Sequence, residues 1–358
     1  MTRPDPAKIA WVYGMVLPTI ALGPVAAWQA PGWVAVSALL ALSTVCLGHT
    51  VGLHRGIIHR SYQTSRLVRG ALAFAFVLTG LGGPLSWYRT HFLRDHYQSL
   101  PQAPSHLRFD HGPWRDWALT HHVRPVVDDW SPFGLRDDDL GDHWLQWLER
   151  HWLLVQLAQA VLLTLVGGWR LLVIGGLARN AIVIVGHWFV GYVVHTRGTQ
   201  RYRRAGASEQ GYNHWLLGVL SLGEGFHNNH HAAPTCARIG RTWWEVDVGW
   251  WTIVALESLG LVWDVHRPRD LHDYLAEDAT PTSPGPRSPG RRAAGLDASP
   301  WKCESDRRIE PGGRPNGGEG PRRGVPPEAR PRARARDRGR RDDPGPDGGA
   351  ALRRHPLR

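Results

Sequence analysis

Apolar residues run without a single charge from Ile9 to Trp28, and twenty residues at ~1.5 Å each cross a hydrocarbon core of ~30 Å. Pro18 and Pro24 lie inside this run, which a membrane tolerates because neighbouring helices satisfy the freed backbone groups. No polar stretch with a small-x-small cleavage site follows, so the run reads as a span and not as a signal peptide. The turn Gln29-Ala30-Pro31 instead leads directly into a second apolar run, Gly32 to Leu53, and the two form a hairpin. Arg3 and Lys8 precede it and His54, Arg55, His59, Arg60 and Arg66 follow it, so the positive-inside rule places both ends in the cytoplasm.

A third run, about 70–85, is short and ends Gly82-Gly83-Pro84, which predicts a re-entrant or interfacial segment. From Trp87 to about Arg150 the chain is polar and rich in Trp and His, a cytoplasmic part of the same domain. Trp152 to Val166 is apolar again, Gly167-Gly168-Trp169-Arg170 reads as a turn, and Leu171 to Val194 returns. The expected spans are therefore about 9–28, 32–53, 152–168 and 171–194. Arg179, Asn180 and His187 are costly in lipid and should face the bundle interior. Thr242 to Trp263 mixes Glu245, Asp247 and Glu257 with aromatics and reads as an interfacial helix.

Composition divides the chain of 358 residues into two parts. Residues 1–275 read as one membrane domain, and 276–358 as a disordered Arg/Pro/Gly-rich tail that cannot bury a core. The tail holds 19 Lys/Arg against 12 Asp/Glu, about +7 of the formal +11, which leaves the body near +4. That removes most of the case for nucleic-acid binding. Cys46, Cys236 and Cys303 form no C-x-x-C pair, so neither a disulfide framework nor a cysteine-bound zinc or iron–sulfur site is suggested. A metal would be held by nitrogen and oxygen.

Histidines supply the candidate chemistry. In Gly223-Glu224-Gly225-Phe226-His227-Asn228-Asn229-His230-His231 a helix puts positions 227, 230 and 231 on one face, aimed at a common point. Neutral imidazole suits iron, copper or zinc, and Asn228, Asn229 and Glu224 are candidates to orient those rings. His54 and His59 leave the second span as H-x4-H; on a regular helix they diverge by about 140° and would serve two ions. His91 and His96 flank Asp95, and His195 ends the last span. His49 and His187 read as packed residues. His106, His111, His121, His122, His143, His151, His214, His266 and His272 read as structural or surface residues.

An H-x4-H pair in Gly52-Leu53-His54-Arg55, a middle box at His91, and Gly-Glu-Gly-Phe-His-Asn-Asn-His-His trailed by Ala232-Ala233-Pro234 resemble the integral-membrane fatty acid desaturases, in particular the acyl-CoA (stearoyl-type, delta-9) branch. The similarity runs from about residue 9 to 265. It implies an all-α membrane protein with four transmembrane helices in two hairpins and a cytoplasmic helical cap. It further implies a non-haem di-iron centre with about nine histidine ligands, in the bacterial inner membrane. Such enzymes use O2 and two external electrons to remove two hydrogens from an acyl chain.

Carried over by position, the resemblance assigns His54, His59, His91, His195, His227, His230 and His231 as metal ligands. The family's middle box is usually H-x-x-H-H, and its last two positions fall here on Arg94 and Asp95. Asp95 can ligate through oxygen, a protonated guanidinium cannot, and His96 stands one position on. Asp95 and His96 are thus expected as the remaining ligands. No residue is expected to be catalytic apart from the metal ligands.

An unactivated methylene has no acidity for a base to exploit, so an oxidising metal site in a dry pocket is required. Trp87, Tyr88, Trp188, Phe189 and Tyr192 are candidates to line an acyl tunnel, although an interfacial belt would use the same residues. Arg89, Arg94, Arg201, Arg203 and Arg204 are candidates for a phosphate-bearing head group, with Arg89 and Arg94 nearest the boxes. The expected substrate is a fatty acyl thioester or acyl lipid. The chain carries no G-x-G-x-x-G after a strand and no His-Pro-Gly-Gly haem signature, so a separate ferredoxin or cytochrome b5-like donor is implied. A lipid hydroxylase of the same metal class, or a non-catalytic relative, would share these features.

Overall fold

The computed structural model describes residues 2–203 and 207–267. The Arg-rich tail, Cys303 and Arg204 lie outside the described residues. Helix α1, Pro6–Gln29, starts where the Asp5 carboxylate accepts from the Lys8 amide and Pro6 fills the first turn. Helix α2, Pro31–Thr44, continues without a break into a π-helical stretch, Val45–Ile58. Three helical runs are long and apolar enough to cross a membrane: Pro6–Gln29, Pro31–Ile58 and His143–Thr196. Leu17, Ile20, Leu39 and Leu165 on these runs are each more than half exposed to their surroundings, as lipid-facing residues would be.

The third run contains a break. At Gly168 the backbone takes φ +64°, ψ −163°, a conformation natural to glycine. On a straight helix Leu163 and Gly176 would be about 20 Å apart. Here a Cβ on Gly176 would lie 3.5 Å from Leu163 Cδ1, so the chain doubles back, as the Gly167–Arg170 turn predicts. The run comprises α7 (His143–Leu171), a π-helical turn at Leu172–Ala178 and α8 (Arg179–Thr196).

The short third apolar segment folds as α3, Arg66–Val77, capped by Ser65, and its last residues pass through Gly80 and Gly82 at positive φ into α4, Pro84–Gln98. Leu85 thus opens the next helix and does not close the apolar run. The Glu149 carboxylate accepts from the amides of Leu85 and Ser86, placing a negative charge on the α4 N-terminus. The π-helical stretch lies hard against α3. A Cβ on Gly52 would stand 2.8 Å from Leu72 Cβ, and one on Gly48 would clash with the backbone of Ala75 and Phe76. Leu53, Ile57, Phe76, Val77, Tyr88 and Leu148 form the adjoining core.

The polar region supplies α5 (Pro113–His121) and α6 (Asp137–Leu140). After α8 follow α9 (Trp215–Leu220), α10 (His227–Ala232) and α11 (Val248–Ser258). The interfacial segment read over 242–263 is helical only through α11. Two antiparallel strand pairs tie the ends of the body: β1 (Thr2–Pro4) to β3 (Val123–Pro125), and β2 (Gln63–Thr64) to β4 (Val262–Trp263).

Candidate metal centre

Seven histidines gather into two groups. His54, His59, His91 and His230 form one, His195, His227 and His231 the other, and within each group the ligand atoms lie within 4.8 Å of one another. The H-x4-H pair does not diverge. Its helix is π-helical, His59 N donates to His54 O at 3.0 Å, and this i→i+5 bonding stacks residues five apart, with ring centroids 4.8 Å apart. Both rings therefore face one group, and the expectation that they serve separate ions is corrected.

The three histidines of α10 also part company. His227 and His231, one turn apart, join the second group, with Nε2 atoms 2.9 Å apart. His230 turns to the first, its ring 4.6 Å from His54 and 4.7 Å from His59. They do not share one focus as the spacing predicts. The single short helix instead belongs to both groups.

Its seating depends on close backbone approach. Gly223 has φ +115°, and a Cβ on Gly225 would clash with the amide of Gly218. Asn228 Oδ1 accepts from the amides of Arg201 and Tyr202 at 2.8 and 2.9 Å. Asn229 donates to Ile239 O and the Glu245 carboxylate. Both asparagines therefore fix the α10 backbone rather than its rings.

Glu224 does contact a ring. One carboxylate oxygen is 2.7 Å from His54 Nδ1, and the other is 3.1 Å from the Arg55 guanidinium, which also meets Asp247 at 2.9 Å. Burial would raise the Glu224 carboxyl, but the neighbouring His54 ring and Arg55 guanidinium outweigh it and hold it well below the usual carboxylate range. Arg55 and Asp247 escape a search for ligand spacing. The one signal for Arg55 is that it directly follows His54.

The donor chemistry fits a transition metal. Burial, then the neighbouring imidazoles, push His59, His227 and His230 well below the ordinary histidine value, so these rings are neutral and offer lone pairs at neutral pH. His59 Nε2 lies 3.0 Å from His91 Nε2, and His227 Nε2 lies 3.0 Å from His195 Nε2. Donors ~2.1 Å from one ion are about 3.0 Å apart at right angles and about 3.4 Å apart in a tetrahedron. Ring nitrogens at this spacing are compatible with donation to one transition-metal ion.

Around this centre the remaining candidates scatter. Asp95 Oδ2 is 3.2 Å from His91 Nε2. His96 belongs to neither group; its ring packs on Tyr97 and Phe133, with centroids 5.2 and 5.0 Å away. The Arg94 guanidinium lies 5.9 Å over Phe109, whose ring stacks on His195 at 4.3 Å. Arg89 is half-buried and makes no ion pair among the described residues. Trp87 stands edge-on to His49 and His187, at 5.1 and 4.7 Å. Of the other tunnel candidates, Tyr88 donates to Asp139, Trp188 to Asp116 and Tyr192 to His111 O, all structural bonds, and Phe189 is 47% exposed.

The sequence model described as fatty acid desaturase matches residues 9–256. The chain is 36% identical over 241 residues to an sn-1 stearoyl-lipid 9-desaturase of Anabaena variabilis, covering 66% of this chain and 84% of that one. It is 33% identical over 220 residues to an sn-2 palmitoyl-lipid 9-desaturase of Nostoc sp. (strain 36), covering 60% and 75%. With an acyl-CoA 5-desaturase of Anemone leveillei the identity is 30% over 247 residues, covering 67% and 74%.

Proposed function

The chain belongs to the fatty acid desaturase family, and on that premise we propose that it acts at the 9-position of a stearoyl- or palmitoyl-type chain held in a membrane lipid. As an oxidoreductase of this family it introduces a double bond into an acyl chain. The lipid-bound substrate is supported by the relatives at 36% and 33% identity, whose names specify lipid-bound chains, against 30% for the acyl-CoA enzyme.

The observation that carries the mechanism is the pair of imidazole groups sharing α10. His54, His59, His91 and His230 would hold one iron ion, and His195, His227 and His231 would hold the other. When bound, the iron pair supplies the O2 activation needed to take hydrogen from an unactivated methylene. The protein orients the site: Glu224 meets His54 at Nδ1, Arg55 meets Glu224, and Asp247 meets Arg55. Overall, one acyl CH2–CH2 unit, O2, two electrons and two protons give one CH=CH unit and two waters. The electrons come from a separate protein donor.

Four spans, formed by α1, α2 with its π-helical extension, α7 and α8, accompany this reading. The reversal at Gly168 supports counting α7 and α8 separately. Arg3, Lys8, Arg55 and Arg60 support a cytoplasmic metal face. Residues 1–275 are read as the membrane domain, of which 268–275 lie outside the described residues.

Expression in a host whose membranes lack unsaturated acyl chains, followed by lipid profiling, tests the activity. A 9-unsaturated product in the lipid fraction is expected, and an unchanged profile despite iron loading overturns the proposal. Supplying purified enzyme with labelled acyl lipid or labelled acyl-CoA separates the two carriers.

A further inference from the structure

We propose that Phe109 is a positioning residue of the three-histidine site: its ring backs the His195 imidazole and fixes the direction in which that ligand offers its lone pair. The inference rests on the two-iron reading above. The two rings lie 4.3 Å apart between centroids and 4° from parallel, a stack that restrains the tilt of the imidazole. His195 Nε2 is at the same time 3.0 Å from His227 Nε2, and the His227 and His231 rings stand nearly perpendicular to it, at 81° and 87°. Phe109 thus covers a face of His195 while the edge that carries the donor points at the other two ligands.

Elsewhere in the centre carboxylates meet the ligand rings, Glu224 at His54 and Asp95 at His91. His195 has no such ion pair among the described residues. A backbone contact with Gln210 restrains one edge of its ring, and Phe109 restrains the plane. Phe109 is itself held in the frame that carries the ligand. His111, two residues on, has its backbone oxygen bonded by the Tyr192 hydroxyl at 3.1 Å and its Nε2 3.0 Å from Asp116 Oδ1, while Asp116 Oδ2 accepts from Trp188 Nε1 at 2.8 Å. Trp188 and Tyr192 stand on α8 about two turns and one turn before His195, so the segment bearing Phe109 is pinned to the helix whose ligand it backs. From α4, the Arg94 guanidinium lies 5.9 Å over the Phe109 ring, a cation against its π face. The residue that can offer the metal no lone pair therefore packs on the ring that aims a ligand.

Full-length protein, purified in detergent and titrated anaerobically with ferrous iron, tests this with two substitutions. Phe109→Leu keeps an apolar side chain and removes the flat face, whereas Phe109→Tyr keeps the face. Wild type should take up about two equivalents. In Phe109→Leu one equivalent should bind roughly tenfold more weakly, and its ferrous ligand-field bands in near-infrared circular dichroism should shift. The other equivalent should keep its affinity and its bands, which reports an intact fold. Phe109→Tyr should match wild type in both. Wild-type affinity and bands for both equivalents in Phe109→Leu overturn the assignment. So does equal weakening of the two equivalents, which would mark Phe109 as ordinary packing, and so does a Tyr variant as impaired as the Leu variant. Each of these leaves the two-iron reading standing. A wild-type chain that takes up no iron overturns both.

Discussion

His54 Nδ1 stands 2.7 Å from Glu224 Oε2, and the opposite oxygen of that carboxylate stands 3.1 Å from the guanidinium of Arg55. Arg55 is 1% exposed and also holds Asp247, so one buried cation pairs with two carboxylates, the buried Asp247 and the part-buried Glu224, and Glu224 in turn meets a candidate metal ligand. Glu224→Gln should keep the fold and weaken iron binding roughly 10–100-fold, read by competition with a calibrated chelator. Arg55→Ala should be worse. It strands Glu224 and Asp247 as uncompensated charges, a loss of about 3–5 kcal/mol, read as a collapse in the yield of folded protein.

The two histidines of α4 make opposite predictions. His91 Nε2 lies against His59 Nε2 at 3.0 Å, whereas the His96 ring packs on Tyr97 and Phe133. His91→Ala should abolish lipid desaturation and lower bound iron. His96→Ala should leave both within roughly twofold and cost only packing, about 1 kcal/mol. Equal losses of activity in the two variants, measured by lipid profiling at matched expression, would contradict this assignment.

The long apolar helices were legible because a charge-free run of twenty residues has few alternatives to crossing a bilayer, and the break at Gly168 was legible because paired glycines seldom sit inside an apolar helix. The focusing of His54 and His59 was not. It depends on π-helical winding, which goes with glycines at 48 and 52 that admit α3 against the helix flank, a tertiary fact that no local spacing encodes. The division of His227 and His231 from His230 depends likewise on where α4 and α8 bring their own rings. The partners of Asn228 and Asn229 were not legible, since Arg201, Tyr202, Ile239 and Glu245 come from chain segments outside the box.

Part of the acid sensitivity should trace to His121. The ring is 6% exposed, packs on Trp117 at 4.2 Å, and its Nε2 is buried without a hydrogen-bond partner. Burial, reinforced by Lys8, His122 and Arg94, pushes its pKa down from 6.5 to about 3. Between those values the unfolded chain binds a proton that the folded chain refuses, so stability is present in full above about pH 6.5 and falls as pH drops toward about 3. Thermal unfolding of detergent-solubilised protein at about pH 7.5 and about pH 5 should show the loss. His121→Phe should make that difference smaller. A variant with the wild-type pH slope would show that the sensitivity resides elsewhere.

Arg179 presents the hardest case for stability, a 1%-exposed guanidinium inside the third apolar run with no carboxylate among its described partners. Its nitrogens donate to Gly175 O at 2.8 Å, Leu78 O at 2.7 Å, Asn180 Oδ1 at 3.0 Å and Thr44 Oγ1 at 3.2 Å. Leu78 O lies at the C-terminal end of α3, where unsatisfied carbonyls carry partial negative charge, so the planar fork clamps α2, α3 and α8 together. If the fork geometry matters, Arg179→Lys should fail nearly as badly as Arg179→Leu. An ammonium keeps the charge, but it is a point donor and cannot reach acceptors on three helices at once. Each acceptor left bare inside the bundle costs about 1–3 kcal/mol, so both variants should lose several kcal/mol, read as a large drop in thermal midpoint. A Lys variant as stable as wild type would mean that charge alone holds the junction.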